Sequence, residues 1–210
     1  YRPAGMTLIA AGDVTADQIE QLARETFGNW GGTPAQAETT SDAPARQTRA
    51  VHIVAKADAP QSELRVGHPG IPRNTPDYFP TVVMNAVLGG LFSSRINLNL
   101  REAHGYTYGA FSGFDWRRRA GPFAVDTAVK TGVTDAAVRE ILNEIDRMRA
   151  EEIRPDELSL ATSYLDGVFP IRYETTDAIA AALGNLVIYG LPDDYFDRYR
   201  ERVRSVTATD

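Results

Sequence analysis

Arg101 and Tyr108 are the two residues whose types and spacing offer chemistry. Arg101 closes a helical stretch, Gly105 breaks it, and Tyr108 follows in a β-prone run. A guanidinium presents a planar fork of donors, and a phenol both donates and accepts. Brought to one spot, the pair would grip a peptide carbonyl or a carboxylate. The same residues also suit plain helix–turn–strand packing with no ligand, and spacing alone leaves both readings open.

Other reaction chemistry is poorly supplied. The three histidines, His52, His68 and His104, are never four residues apart, and Glu102 with His104 lacks the spacing that puts two metal ligands on one helical face. Gly89-Gly90 is followed by no Gly-Lys-Ser/Thr, so no phosphate loop forms, and no Gly-x-Ser-x-Gly elbow occurs. Ser93 and Ser94 have a simpler task as the N-cap region of a helix. Glu151-Glu152 and Asp193-Asp194 fall at helix ends, where solvation and the helix dipole account for them. No cysteine is present, which removes thiolate and disulfide chemistry. A net charge of −6 argues against a nucleic-acid partner, and Arg117-Arg118-Arg119 reads as a solvated hairpin tip. With 43% hydrophobic and 24% charged residues, the composition is that of a soluble globular protein, and no apolar run reaches the roughly 20 residues of a membrane span.

The elements that must position the pair follow from periodicity. The stretch Leu88 to Phe114 opens on two glycines and enters a short helix with Ile96, Leu100 and Ala103 on one face and Arg95, Asn99 and Glu102 elsewhere. After Gly105 alternation predicts a strand, with Tyr106, Tyr108, Ala110, Ser112 and Phe114 sharing a face. Upstream, residues 6–14 (MTLIAAGDV) read as a strand, and Thr15 with Gln18 as a capping box ahead of a helix bearing Ile19, Leu22, Ala23 and Phe27. Residues 29–50 read as a mobile or surface-laid linker. Ala50–Ala55 and Ser62–His68 read as strands, and Thr75-Pro76 as the start of a helix burying Phe79, Val82, Val83, Ala86 and Val87. Phe123, Val125, Thr127 and Val129 alternate as one covered strand face. The remainder is helical: Val138, Ile141, Leu142, Ile145 and Met148 after Thr134, a helix from Pro155, one at about 174–189, and one from Pro192 to Val203. Strands in one block and helices in another predict an α+β layer arrangement.

LGGLFSSR at 88–95, NLREAHGYTYGAFS at 99–112, a Gly-Pro-Phe strand, APQSELRVGHPG at 59–70 and YGLPDDYF near the end together resemble the C-terminal half of the pitrilysin/insulinase family of zinc peptidases. That family includes bacterial two-domain peptidases and the mitochondrial processing peptidase, and the likeness runs over the last three quarters of the chain. It implies an antiparallel β-sheet backed by helices. It also implies that the family's arginine and tyrosine, seven positions apart and holding the substrate backbone, are Arg101 and Tyr108 here. The family's zinc signature, His-x-x-Glu-His, does not occur in this chain. The resemblance therefore implies a substrate-binding half without catalytic or metal-binding residues of its own, Tyr108 serving in support. Zinc would lie in an upstream segment or a partner chain.

In the family two halves close around an unfolded peptide, so the implied partners are peptide substrate and a zinc-bearing half or subunit. The alternative is a non-catalytic subunit or interaction domain that pairs with a zinc-bearing chain. Residues 1–28 resemble the closing strand and helix of the preceding half, and 51–210 a C-terminal domain cut short at its end. The expectation is that residues 6–27 fill the vacated strand and helix positions, within one chain or by a strand swap between two. Location is expected to be cytoplasmic or periplasmic, without a choice between them.

Overall fold

The computed structural model describes residues 3, 5–33, 41, 44 and 47–210. Half of the expected linker, including all of 34–40, lies outside the described residues. The described chain is α+β, and it divides into two compact units, residues 1–41 with 168–195, and residues 42–167 with 196–210.

The second unit holds the sheet. Its centre is β3, Pro122–Lys130, whose Phe123, Val125, Thr127 and Val129 turn inward as the alternation predicts, at 3%, 0%, 6% and 0% exposure. β1, Gln61–Pro69, and β2, Ala110–Phe114, flank it antiparallel in the order β1-β3-β2, with Leu64 and Ala110 both opposite Thr127. The inner face packs on Leu88, Ile96, Leu100 and on Ile141 of the helix that follows β3. Each such side chain, fully buried, contributes about 1.5–3 kcal/mol.

β2 is an edge strand, and side chains close its edge. Asn97 Oδ1 accepts the Ala110 N–H at 3.1 Å, and Asn85 Nδ2 donates to the Ser112 carbonyl at 3.1 Å. Ser112 Oγ returns a hydrogen bond to Asn85 Oδ1 at 2.8 Å. Backbone groups that an open edge would offer to another chain are thereby taken. Asn85 ends a helix over Tyr78–Asn85 that widens into a π-turn at Ala86–Gly90 and passes so close to β2 that a Cβ on Gly89 would sit 2.4 Å from Ser112 Oγ. Only glycine allows that approach.

With α1 at Ala16–Phe27, the remaining helices are α2 (Tyr78–Asn85), α3 (Arg95–Asn97, continuing as a π-turn over Leu98–Ala103), α4 (Thr134–Ala150), α5 (Pro155–Arg172), α6 (Thr176–Tyr189) and α7 (Tyr195–Arg204). In the sheet unit, Tyr199 of α7 packs its ring edge-on against Phe79 of α2, with centroids 5.4 Å apart. Arg200 and Arg204 both pair with Asp166 of α5, at 2.7 Å each. No helix among the described residues is long and apolar enough to cross a membrane.

In the other unit the capping box forms as read: Gln18 N–H donates to Thr15 Oγ1 and Thr15 N–H to Gln18 Oε1. The apolar face of α1 is not buried, with Leu22 and Phe27 exposed. α6 is capped by Thr175 and stopped by Gly190 in the left-handed region.

Two expected strands are absent. Residues 6–14 and 50–55 have no ladder, and Val51, Ile53 and Val54 are 84–94% exposed. A β-prone pattern becomes a strand only when a neighbour takes its hydrogen bonds, and the three-stranded sheet supplies none. Residues 6–14 therefore form no strand of this sheet. Ser94 does occupy an N-cap position, yet its hydroxyl is buried and makes no capping hydrogen bond.

Candidate functional site

Arg101 rides on a turn that is wider than an α-helix. From Leu98 to Ala103 the helix is π, with the His104 N–H reaching back to the Asn99 carbonyl at 3.1 Å. Gly105 then reverses the chain at φ +61, and the Tyr106 N–H closes on the Leu100 carbonyl at 2.8 Å. The positive φ is the reason a glycine stands there. Ile96 and Leu100 stay in the core, while the wider turn carries Ala103 out to solvent, contrary to the α-helical reading. Such π insertions recur at functional positions because they re-aim a side chain without ending the helix.

The Arg101 guanidinium carbon lies 4.4 Å from the centroid of the Phe92 ring, and the side chain is 33% exposed. Its Nη1 is 3.0 Å from Glu102 Oε1, an ion pair without the alignment of a hydrogen bond. Phe92 is held from behind: its carbonyl accepts from Asn97 Nδ2 at 2.6 Å. Asn97, completely buried, thus ties the Phe92 backbone to the first residue of β2.

Tyr108 has a mount of its own. The Thr107 hydroxyl accepts the Gly109 N–H at 3.1 Å, a side-chain turn that brackets residue 108. Thr127 Oγ1, buried on β3, lies 3.0 Å from that hydroxyl and 2.9 Å from the Gly109 carbonyl, so its single proton serves one or the other. The Lys130 N–H reaches the Tyr106 carbonyl at 3.2 Å. Residues 106–109 are therefore pinned to β3 at both ends, and the Tyr108 side chain stands 92% exposed. Simple alternation puts Tyr108 on one face with Ala110 and Ser112, both of which are buried. The strand instead begins at Ala110, because Thr107 takes the Gly109 N–H.

The guanidinium and the phenol thus sit on separate mounts in one helix–turn–strand segment. Neither lines the open cleft of about 570 Å³ between Asn99 and α4, whose walls are Glu140, Glu144, Arg147 and Glu151. There Asn99 Nδ2 donates to Glu144 at 2.8 Å and Glu140 at 3.0 Å, and Arg147 pairs with Glu144 at 3.1 Å.

Arg95 departs from its reading as a polar side chain off the apolar face. It is 8% exposed and donates from Nε and Nη2 to the two oxygens of Glu157, at 2.7 and 2.6 Å. The hydrogen bonds from Arg95 hold the Glu157 carboxyl below its ordinary range and raise the guanidinium in turn. Its partner lies far along the sequence, on α5, and no local spacing announces it. Asp166, between Arg200 and Arg204, is lowered to about 2 by their hydrogen bonds.

Zinc does not fit the donors among the described residues. Among the described residues no group of three or more histidine and carboxylate side chains is arranged to hold a metal. His104 Nδ1 is 3.0 Å from the Asn99 carbonyl with its ring against Tyr106, and His68 Nδ1 is 2.7 Å from the Pro69 carbonyl with its ring against Phe123.

Phe92, Asn97, Thr107 and Thr127 are the site residues that the sequence reading missed. Only Thr107, a threonine two before a glycine, carried a local signal, that of a side-chain turn.

Comparison with known proteins extends these observations. The chain is 25% identical, over its whole length, to an uncharacterized zinc protease of Streptomyces coelicolor, and that alignment covers 47% of the relative. It spans about half the length of the curated relatives it matches. Among solved structures, a protease from Helicobacter pylori superposes with a TM-score of 0.84 at 16% identity, covering 95% of this chain and 48% of that one. A peptidase M16 inactive domain from Pseudomonas fluorescens gives 0.77 at 22%, covering 94% and 47%. At those identities the likenesses show a shared fold. The family model of the peptidase M16 inactive domain matches residues 1–165, a span that takes in the sheet, Arg101 on its π-turn and Tyr108 on its threonine clamp. By that match the chain belongs to the peptidase M16 inactive-domain family.

Proposed function

We propose that this chain grips an extended, unfolded peptide for a zinc centre carried by another segment or a partner chain. It is the substrate-binding, non-catalytic half of a zinc metallopeptidase. The observation that carries the reading is Tyr108: a phenol 92% exposed on a turn that the Thr127 hydroxyl and the Lys130 N–H hold to the central strand. Ordering an exposed ring costs conformational freedom, and a bound chain repays it. Tyr108 donates from its hydroxyl to a backbone carbonyl of the peptide, and Arg101 turns its exposed N–H groups to a neighbouring carbonyl or carboxylate. A zinc site carried elsewhere is supported by relatives named as zinc proteases and by the want, among the described residues, of a donor group that could hold a metal.

The test joins this chain to a half that carries His-x-x-Glu-His and follows turnover of an unfolded peptide. Tyr108→Phe and Arg101→Ala each lower turnover about tenfold, the effect of one hydrogen bond to the reacting segment. Turnover unchanged by both substitutions refutes the reading. Reading the coding sequence upstream for His-x-x-Glu-His separates a zinc site in the same polypeptide from one on a partner.

A further inference from the structure

We propose that Phe92 is the positioning residue for Arg101, an inference that rests on the peptide-gripping reading above. A free arginine side chain explores many rotamers, and each must be abandoned when it binds. Arg101 is spared much of this, because its guanidinium lies over a ring face at 4.4 Å, inside the range of cation–π attraction. Glu102 sits at one edge of the fork, and 33% of the side chain remains open to an approaching peptide.

Three features set this stack apart from chance surface contact. Phe92 is 62% exposed, so its ring is not kept by the core. Its backbone is nonetheless fixed, since the completely buried Asn97 donates to its carbonyl at 2.6 Å. The same Asn97 takes the N–H of Ala110, so the mount of Arg101 is tied to the strand that follows Tyr108. A ring with little packing value on a rigid backbone post is placed to serve the side chain that lies on it.

The test measures binding of a dye-labelled, unstructured peptide to the chain by fluorescence anisotropy, with the Arg101 Nε–H resonance recorded alongside. Phe92→Leu keeps apolar volume but removes the ring face. It is expected to weaken binding about two- to fivefold and to shift the Arg101 Nε–H signal downfield as the ring current is lost. Phe92→Tyr keeps the face and restores both. In an Arg101→Ala background Phe92→Leu is expected to add nothing, because the ring acts only through the arginine. Wild-type affinity in Phe92→Leu, or an equal further loss on top of Arg101→Ala, overturns the inference while leaving the gripping role of Arg101 intact. If Arg101→Ala itself binds peptide normally, the functional reading falls and the positioning role falls with it.

Discussion

Replacing Thr127 with valine removes one hydroxyl from beneath Tyr108 and little else. The side chain is buried on the central strand, and valine has almost the same shape and a high strand propensity. What is lost is one hydrogen bond, to the Thr107 hydroxyl or to the Gly109 carbonyl, at 3.0 or 2.9 Å. The Gly109 carbonyl keeps a second donor, the Thr107 hydroxyl at 2.9 Å, so no acceptor is orphaned. The net cost is therefore about 1 kcal/mol, confined to the turn. Amide hydrogen exchange reads it directly. The Gly109 N–H, held by Thr107, should exchange about fivefold faster in Thr127→Val, the equivalent of about 1 kcal/mol of local opening. Because the contact is absent from the unfolded chain as well, the urea midpoint should fall by the equivalent of the same ~1 kcal/mol. An unchanged Gly109 rate with an unchanged midpoint would refute the clamp.

Gly89→Ala, which in an open helix would stabilise, should here cost about 1–3 kcal/mol by urea unfolding, because its Cβ would meet Ser112 Oγ at 2.4 Å and Ser112 N at 2.7 Å. Arg95→Met removes two hydrogen bonds from Glu157, 13% exposed, and leaves it the Arg154 N–H at 3.1 Å and the Arg154 guanidinium at 3.4 Å, so a loss of about 1.5–3 kcal/mol is expected. The double replacement with Glu157→Leu should recover most of that loss in the same assay. For pH, the folded pKa of Asp166 lies at about 2, below its ordinary 3.8. The ion pairs with Arg200 and Arg204 therefore contribute their full stability above about pH 4 and lose it as pH falls toward 2. Acid titration of Asp166→Asn should show a shallower decline across that window than the parent chain, and a parallel curve would contradict the assignment.

What the sequence disclosed and what it hid divide along a physical line. The inward face of β3 was legible because Phe123, Val125, Thr127 and Val129 are buried by one sheet face, and period two records that burial locally. The Thr15 cap was legible for the same reason: donor and acceptor lie three residues apart. Residues 50–55 carry an equally good strand pattern, yet a pattern does not say whether a partner strand exists. The Arg95–Glu157 pair joins α3 to α5, and nothing near either residue betrays the other. At the candidate site, Arg101 and Tyr108 were proposed from the family's spacing. Their mounts were not, since the π-turn and the Thr127 contact depend on where β3 passes. Tyr108 was read as sharing a face with Ala110; it is exposed while Ala110 is buried, because Thr107 accepts the Gly109 N–H and the strand starts only at Ala110.

The proposed gripping of peptide backbone by Arg101 and Tyr108 is tested most directly by titrating the isotope-labelled chain with an unstructured peptide and mapping the resonances that move. Shifts concentrated at the Tyr108 ring, the Gly109 amide and the Arg101 Nε–H, and reduced in Tyr108→Phe, are the expected result. Binding whose shifts fall elsewhere, on the α4 cleft or along α6, with these three signals still, would contradict it.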